Sequence, residues 1–419
     1  MIRILKIGRL LRLDFLAAIS VAAAVLFSGA SPSCAQESYN WQASYGDWFT
    51  ASNWGGAVPT NSDLACVADD GVSAIAGAGA TCYMLVLGGD LYRQHFGTGT
   101  VQMSGGSLLC LNCVALGSSN IGVFNQSGGA TAILSVDSDP GLFLGLGSPG
   151  IYNLSGNGTL SAPNEYLGVE GPGIFNQSGG TNTVLTALYL GSDPFTNYHP
   201  SATYNLSGGT LIVPQITKGS GTAVFNFSGG TIEASNSFAA TLPITLSVIV
   251  GSANFDTADY LVDLSGLLSG TGTLNKLGGG TLELSGGIAA TGPAAINLNI
   301  EAGKTILRAV NVNENDFDIG TGQSATFEVA DGAHTVGSIT GSGTTQIDAG
   351  ASLTAASIAQ GTLTLGAGAT LTIEAISGGP TGGSITPVPE PSALALLCAA
   401  SILFALARRK KSTRVESTR

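Results

Sequence analysis

The sequence predicts an all-β protein folded as a right-handed parallel β-helix, a solenoid in which each turn of the chain stacks on the previous turn. One observation is a repeated phrase, aromatic–Asn–x–Ser–Gly, which begins at Phe124, Tyr152, Phe175, Tyr204 and Phe225. The other is composition: the 419 residues include 61 Gly, 44% are hydrophobic and only 10% are charged. A repeat this short cannot bury its own apolar face, so it must stack on its neighbours.

The spacing of the repeat is typical of a solenoid. Starting from a degenerate copy at Ser104, the repeat serines follow one another in steps of 23, 28, 23, 29 and 21 residues. Most copies are followed by a second recurring motif, the dipeptide Leu-Gly, as at Leu167-Gly168 and Leu190-Gly191. A repeat of this length with two recurring motifs indicates more than one strand in each turn.

Each copy reads as a strand followed by a corner. Residue types alternate with period two before the glycines, and glycine supplies the positive φ that a sharp corner needs. Stacked copies would place Asn over Asn and aromatic over aromatic at about 4.8 Å. The predicted structural repeat residues are Asn125, Ser127, Asn153, Ser155, Asn176, Ser178, Asn205, Ser207, Asn226 and Ser228.

The sequence indicates less clearly which face of these strands points into the solenoid. Two of the aromatic residues share their face with a glutamine, Gln126 and Gln177, which favours a partly wet aromatic face. The opposite face carries Val123, Ile151, Ile174 and Val224. This pattern leads us to expect the β-branched residues, rather than the aromatic rings, inside the solenoid.

The charge distribution excludes one class of function. Residues 36–407 carry five basic and 25 acidic side chains, a formal net charge of −20, and the other ten basic residues lie in the two terminal segments. A surface that binds phosphates needs clustered Lys and Arg. Nucleic acid is therefore not expected among the partners.

Residues 1–35 read as a signal peptide, with a basic start, an apolar run too short to span a bilayer, and small residues before Gln36. Residues 36–98 contain all three tryptophans, Trp41, Trp48 and Trp54. A solenoid needs a bulky, irregular first turn to cover its apolar end, so this segment is predicted to be an N-terminal cap. An aromatic platform for a sugar is the alternative.

The repeats occupy residues 99–240, and further rungs are expected over 241–376. Within the second range, residues 270–286 read Gly-Thr-Gly-Thr-Leu-Asn-Lys-Leu-Gly-Gly-Gly-Thr-Leu-Glu-Leu-Ser-Gly. This run resembles the autotransporter-associated β-strand repeat. The resemblance implies rungs of a parallel β-helix.

The end of the chain combines three signals. Val388, Pro389, Glu390 and Pro391 precede an apolar run, which is followed by the basic residues Arg408, Arg409, Lys410 and Lys411. Together they resemble the PEP-CTERM sorting signal of bacterial envelope proteins. The resemblance implies export, transient membrane anchoring, and recognition by an exosortase-type processing enzyme that removes the tail.

The physical dimensions of this segment fit a short transmembrane helix. Sixteen residues from Ser392 make a helix of about 24 Å, shorter than a hydrocarbon core of about 30 Å. Basic residues on the C-terminal side keep that end cytoplasmic. The expected organisation is a linker over 377–388, the sorting signal over 389–411 and a cytoplasmic tail over 412–419.

The cysteines are candidates for oxidation, because an exported protein can form disulfides. Cys66 and Cys82 close a short loop and are predicted to pair, whereas Cys110 and Cys113 could pair only if their segment turns. No cofactor is expected, since the histidines His95, His199 and His334 are isolated in the sequence; calcium at the acidic run 313–318 is the one candidate metal.

The expected function is a non-catalytic structural or adhesive one at the cell envelope or in the extracellular matrix. The partners would be extracellular polysaccharide or neighbouring surface proteins. The alternative is a carbohydrate-active enzyme, a hydrolase or lyase, using the carboxylate pairs Asp137 with Asp139 or Asp256 with Asp259, or the run 313–318. A third candidate is ice binding, through Thr-x-Thr pairs at 271–273, 362–364 and 370–372, which do not recur at a regular spacing in the sequence.

Overall fold

The structure is a computed structural model of the whole chain. The residues described are 37–89, 95–134, 141–192, 200–247, 253–290, 296–308, 313–314, 317–374 and 384–387. Regular structure in these ranges is β-strand, apart from one 3-10 helix at Ala51–Trp54. The predicted signal helix and C-terminal transmembrane helix lie outside the described residues. Within those residues, no helix has the length and apolar character of a membrane span.

The first strands are β1 (Ser38–Asn40), β2 (Tyr45–Asp47), β3 (Leu64–Val67), β4 (Gly71–Ile75), β5 (Ala80–Leu87), β6 (Gly99–Met103), β7 (Ser107–Leu116), β8 (Gly122–Gln126), β9 (Ala130–Ile133), β10 (Gly141–Leu144), β11 (Gly150–Leu154), β12 (Thr159–Leu167), β13 (Gly173–Leu190), β14 (Ser201–Val213), β15 (Ile216–Lys218), β16 (Thr222–Phe227) and β17 (Gly230–Ala234).

The second half contains β18 (Phe238–Ala240), β19 (Ile244–Ser247), β20 (Ala253–Asp256), β21 (Leu261–Leu264), β22 (Leu268–Leu277), β23 (Thr281–Leu284), β24 (Ile288–Ala290), β25 (Ile296–Ile300), β26 (Gly303–Leu307), β27 (Asn313–Glu314), β28 (Phe317–Thr321), β29 (Ala325–Val329), β30 (Ala333–Gly341), β31 (Thr344–Ile347), β32 (Ser352–Ala359), β33 (Thr362–Leu365), β34 (Thr370–Ile373) and β35 (Ser384–Pro387).

Strands from successive turns of the chain pair in parallel, in one sheet of 27 strands and one of eight. One series of neighbours runs β2, β4, β6, β8, β11, β13, β14, β16, β19, β22 and β24. A second runs β1, β3, β5, β7, β10, β12, β13 and β15, and the eight-stranded sheet runs from β18 to β35. One pass of the chain through these series is called a rung. The all-β class and the long parallel sheets of a solenoid are confirmed, while the right-handed sense stays a prediction.

The repeats stack as the spacing predicted, but with the opposite face inside. Phe124, Tyr152, Phe175, Tyr204 and Phe225 are buried, and successive ring centroids lie 4.8, 5.1, 4.8 and 5.0 Å apart with nearly parallel planes. The residues that we expected inside, Val123, Ile151, Ile174 and Val224, are only half-buried or exposed. The expectation was wrong because an aromatic ring buries about 150–250 Å² and so contributes more hydrophobic free energy than a β-branched side chain.

The glutamines that suggested a wet face are buried and hydrogen-bonded. Gln126 Nε2 donates to the carbonyl oxygens of Gly129 and Thr159 at 3.0 and 2.9 Å. Its Oε1 accepts from Tyr152 Oη, 2.5 Å away on the next rung. Gln177 and Tyr204 repeat the arrangement at 2.6 Å. Copies with Phe and Gln therefore alternate with copies with Tyr and Leu, because each tyrosine hydroxyl needs an acceptor on the rung before it.

The corner glycines adopt the backbone that the sequence predicted. Gly129 has a φ of 73° and Gly180 a φ of 69°. A Cβ atom at Gly129 would also lie 2.6 Å from the carbonyl carbon of Gly105 on the preceding rung. Glycine is required here both by the positive φ and by the close approach of two rungs.

The tryptophans of the opening segment form one packed cluster. Trp41, Trp48 and Trp54 are at most 3% exposed, and Trp54 packs edge-to-face on the other two with centroids 4.9 and 4.8 Å apart. Trp54 Nε1 donates to the carbonyl oxygen of Trp48 at 2.7 Å. These rings present no exposed face to a sugar. The limits of the cap, residues 36–98, stay a prediction.

The hydroxyl–amide bond between rungs can be tested by a double-mutant cycle. Gln126→Leu should lower the free energy of unfolding by about 1–3 kcal/mol, because Tyr152 Oη and two backbone carbonyls lose a partner. Adding Tyr152→Phe should cost less than it does alone, with a coupling of about 0.5–3 kcal/mol in urea unfolding. The exposed Leu185→Ala serves as control. Strict additivity of the two substitutions would contradict the arrangement.

Candidate functional site

The predicted repeat asparagines form a continuous ladder on the outside of the solenoid. Side-chain amides donate from rung to rung: Asn153 to Asn125 at 2.7 Å, Asn176 to Asn153 at 2.8 Å, Asn205 to Asn176 at 2.7 Å and Asn226 to Asn205 at 2.7 Å. Each bond joins an Nδ2 to the Oδ1 before it. A side-chain amide has two N–H donors and two acceptor lone pairs. Each asparagine in the middle of the ladder therefore keeps one N–H and one lone pair for another partner after it has bonded to both neighbours.

The asparagine ladder runs beside a second outward column, and the two together are called the repeat face. The second column has Thr100, Val123, Ile151, Ile174, Thr203 and Val224, and the amide column begins at Gln102 before the asparagines. Most of these side chains are half-buried, while Gln102 and Val224 are exposed. The face is uncharged along six rungs, which at about 4.8 Å per rung gives roughly 24 Å.

The repeat serines lie at the edge of this face and bond to the backbone. Ser155 Oγ donates to the carbonyl oxygen of Gln126 at 3.4 Å, Ser207 Oγ to that of Gln177 at 3.3 Å and Ser228 Oγ to that of Leu206 at 3.4 Å. Ser127 Oγ makes a longer bond of 3.5 Å to Met103. Ser178 occupies the same position and is exposed. Four of the five repeat serines therefore join their corner to the rung before it.

A second asparagine ladder was missed in the sequence. Asn275 Nδ2 donates to Asn254 Oδ1 at 3.0 Å, and Asn299 Nδ2 donates to Asn275 Oδ1 at 3.3 Å. These residues lie on β20, β22 and β25, where they are register partners. Each of these strands has an asparagine between two inward-facing residues, and this pattern could have indicated the ladder. The sequences around the three asparagines share no common motif, so the pattern was not recognised.

A buried acid lies inside the solenoid on β12. Glu165 is fully buried, and its Oε2 accepts from Asn182 Nδ2 at 3.1 Å. Asn182 Nδ2 also lies 3.3 Å from Tyr204 Oη. Among the described residues, Glu165 Oε1 and Asn182 Oδ1 have no hydrogen-bond partner. Burial raises the pKa of Glu165 to about 8, with the Asn182 bond acting in the opposite direction. Burial therefore favours the neutral form of this acid at pH 7.

The lysine of the autotransporter-type run is also buried. Lys276 Nζ donates to the carbonyl oxygens of Leu277, Gly278 and Ala302 at 3.0, 2.7 and 3.0 Å. Burial lowers its pKa to about 8, and the charge of Asp256 opposes that shift. The ammonium group thus joins a turn to the next rung through three carbonyl oxygens, which gives the lysine of this run a structural role.

The register does not bring the predicted pair of cysteines together. Cys66, Cys82, Cys110 and Cys113 are all buried. Register places Val86 opposite Cys66, and the Cys66 thiol donates to the carbonyl oxygen of Gly89 at 3.3 Å. Cys82 is four residues from Val86, about 13 Å along a strand, so a Cys66–Cys82 bridge would require the strands to move. Cys82 instead lies beside Cys110.

A polar cavity of about 370 Å³ lies near the first rung. It is lined by residues that include Trp41, Asp69 and His95. His95 Nδ1 is 2.7 Å from Asp69 Oδ2, and Asp69 has a φ of 56°. Trp41 Nε1 and Asn40 Oδ1 are buried without a partner in the described part of the chain. The pairing of His95 with Asp69 was not visible in the sequence, where the two are 26 residues apart.

Of the carboxylates proposed for catalysis or calcium, Asp256 and Asp318 each accept a hydrogen bond from the backbone. Asp256 Oδ1 accepts from the backbone nitrogen of Ala258 at 2.7 Å, within a turn. Asp318 Oδ1 accepts from the backbone nitrogen of Ser338 at 2.6 Å. Asp137, Asp139, Asp316 and His199 lie outside the described ranges. No three His, Cys, Asp or Glu side chains come together in the ranges that are described.

The threonines considered for ice binding align better than the sequence suggested. Thr335, Thr354 and Thr372 are register partners on β30, β32 and β34. Thr326, Thr344 and Thr362 are partners on β29, β31 and β33. These columns are made of single threonines, and the Thr-x-Thr pairs themselves do not recur on the preceding rung, where Gln346 is opposite Thr364 and Ser352 is opposite Thr370.

Comparison with protein families finds the sorting signal. Residues 387–411 match the PEP-CTERM protein-sorting motif, which confirms the resemblance noted at the end of the chain. The motif marks an exported protein that is sorted by an exosortase and anchored in the membrane through its C-terminal region. Apart from Pro387, which ends β35, the residues of the motif lie outside the described part of the structure. The family comparison does not show the autotransporter-associated repeat, and no characterised protein sequence or solved structure matches the chain.

The buried acid predicts a pH dependence of stability. Because the pKa of Glu165 is about 8 in the folded chain and 4.5 ordinarily, its contribution is complete below pH 4.5 and is lost as the pH rises toward 8. The slope is about 1.4 kcal/mol per pH unit in that window. Glu165→Gln should remove this slope and be more stable than the wild type at pH 9.

The measurement is urea unfolding from pH 4 to pH 9, compared between variant and wild type. Glu170→Gln is the matched control, because Glu170 is exposed and lies on the same rung. It should keep the wild-type slope. Parallel pH profiles for Glu165→Gln and the wild type would contradict a neutral buried acid.

Proposed function

We propose that this exported protein is a non-catalytic structural or adhesive component of the cell envelope or extracellular matrix. The observation that carries the proposal is the repeat face, in which the outward asparagines keep a donor and an acceptor after bonding to each other. A row of such groups at constant spacing suits a long hydroxyl-rich polymer, with which it can exchange hydrogen bonds at each rung. The partner we propose is an extracellular polysaccharide.

The absence of charge on the repeat face supports this class of partner. The body of the protein carries a formal net charge of −20, and the acidic side chains are placed elsewhere than on these two columns. A neutral face inside an acidic surface favours contact with neutral polymer there and keeps the protein soluble. Neighbouring surface proteins are the second partner class for the same face.

The membrane arrangement completes the proposal. Residues 1–35 act as a signal helix, and the helix after Pro391 anchors the protein transiently with its C-terminus in the cytoplasm. The exosortase then removes the anchor near Pro389. The body, including the autotransporter-type rungs at 270–286 in a right-handed β-helix, is released or retained outside the membrane.

Two other functions remain candidates. A carbohydrate-active enzyme would use the carboxylates of Asp137 with Asp139, or the run 313–318. Ice binding would use the threonine columns that end at Thr362 and Thr372, which are in register over three rungs each. The first predicts turnover of a glycan, and the second predicts thermal hysteresis of the purified protein.

Binding should be measured with the full-length exported protein on a glycan array and on polysaccharide from the producing culture. Thr203→Glu with Val224→Glu, which places two charges on the repeat face, should weaken binding at least tenfold. Leu185→Glu with Gln215→Glu is the matched control, since both residues are exposed on the neighbouring rungs that carry Ile174 and Thr203 but lie off the face. The control should bind as the wild type does.

The same samples separate the candidates. Every glycan that binds is assayed for release of reducing ends. Turnover abolished by Asp137→Asn or Asp316→Asn would replace the adhesive function with an enzymatic one. Equal loss of binding in both double variants would rule out the repeat face as the contact.

Processing is tested separately by the intact mass of the protein recovered from its native location. The expected mass lacks residues 1–35 and the segment beyond about Pro389, because signal removal and exosortase cleavage both precede release. A chain that still carries both apolar segments would contradict the proposed route.

A further inference from the structure

Cys82 and Cys110 are register partners on the adjacent strands β5 and β7. Both side chains are 0% exposed, and their Sγ atoms lie 3.0 Å apart. Strand spacing in a sheet is about 4.8 Å, which falls inside the 4.4–6.8 Å range of Cα separations in disulfides. The strand spacing and the short distance between the sulfur atoms are therefore both compatible with a bridge between these two residues.

We infer that Cys82 and Cys110 form a disulfide that joins two successive rungs of the exported protein. The sorting motif places the folded body outside the cytoplasm, where disulfides form and persist. The bond closes a segment of 28 residues between its ends. It lies in the main interior cluster, close to the tryptophan end of the solenoid.

The other cysteines do not compete for this bond. Cys66 has Val86 as its register partner. Cys113 lies on the same strand as Cys110 but packs in a separate cluster with Val86 and Phe143. The strand β7 is bulged between Cys110 and Cys113, and the two side chains belong to different buried clusters. Geometry therefore selects one pair from the four mature cysteines.

The oxidation is a thiol–disulfide exchange with a disulfide-bearing oxidase of the exported compartment. One cysteine thiolate attacks the oxidase disulfide and forms a mixed disulfide, and the second thiolate displaces the oxidase sulfur. The two cysteines lose two protons and two electrons in total, and the oxidase disulfide is reduced to two thiols. One sulfur–sulfur bond forms and one breaks.

The exchange precedes closure of the rungs. Burial, with the neighbouring Cys82, raises the pKa of the Cys110 thiol well above its usual range. Exchange needs a thiolate that the oxidase can reach, and the folded interior provides neither the thiolate nor access. The bond consequently forms while β5 and β7 are assembling, after the chain has been exported, and afterwards restrains the unfolding of the first rungs.

The test uses the full chain produced by export in a bacterial host with its own signals. Free thiols are alkylated under denaturing conditions without reductant, and the protein is digested with a protease that cleaves before aspartate. Cleavage at Asp69 and Asp70 separates Cys66 from Cys82. The expected product is a linked peptide pair containing Cys82 and Cys110, with Cys66 and Cys113 alkylated. Alkylation of both Cys82 and Cys110, or a link through Cys66 or Cys113, would overturn the inference.

Variants of Cys110 and Cys113 show which of these two residues is bonded to Cys82. Cys113→Ala should retain the linked peptide, and Cys110→Ala should lose it. Dithiothreitol should shift the urea midpoint of the wild type and of Cys113→Ala to lower concentration, whereas Cys82→Ala and Cys110→Ala should not respond. If Cys82→Ala or Cys110→Ala fails to fold, the peptide map of the wild type and of Cys113→Ala still decides the question.

Discussion

Parallel, in-register pairing is the constraint on which the rest of this solenoid depends, because it sets each side chain against its counterpart on the next rung. Apolar residues satisfy the constraint by stacking, as Phe124 and Tyr152 do. Polar residues satisfy it only when each one can both donate and accept. Asparagine meets that condition with its amide, whereas a buried tyrosine hydroxyl needs an acceptor of another kind. The alternation of Phe–Gln with Tyr–Leu copies follows from this requirement.

The same constraint bears on the ionisable side chains Glu165 and Lys276, which lie inside the solenoid. A charge cannot be stacked on its own kind without repulsion, so Glu165 occurs on one rung and is opposed by Leu188 on the next. Its neutral form is favoured by burial. Lys276 has Ile300 and Phe255 as its register partners and takes three backbone carbonyls as acceptors. Neither residue is combined with others into a reactive set.

Much of the architecture could be predicted from sequence because the repeat phrase encodes it directly. The asparagine ladder and the glycine corners at Gly129 and Gly180 follow from local pattern. The inward face did not, because alternation is symmetric and only the packing of the rings decides which side is dry. The Cys82 and Cys110 partnership and the ladder through Asn275 also escaped prediction, since both depend on register between rungs of unequal length. The sorting motif could be recognised from the sequence because its three parts follow one another along the chain.

Unequal rung length has a consequence for how such a chain can change over generations. Asn125 and Asn153 are bonded across 28 residues of chain, and Asn153 and Asn176 across 23, with nearly equal distances. Extra residues at a corner thus leave the ladder intact, since only the strands must keep their frame. Insertions at corners are then close to neutral for folding, and whole rungs can be duplicated or lost as units. Such a scaffold can acquire new loops, and with them new binding specificities, through small insertions that leave the packing of its core unchanged.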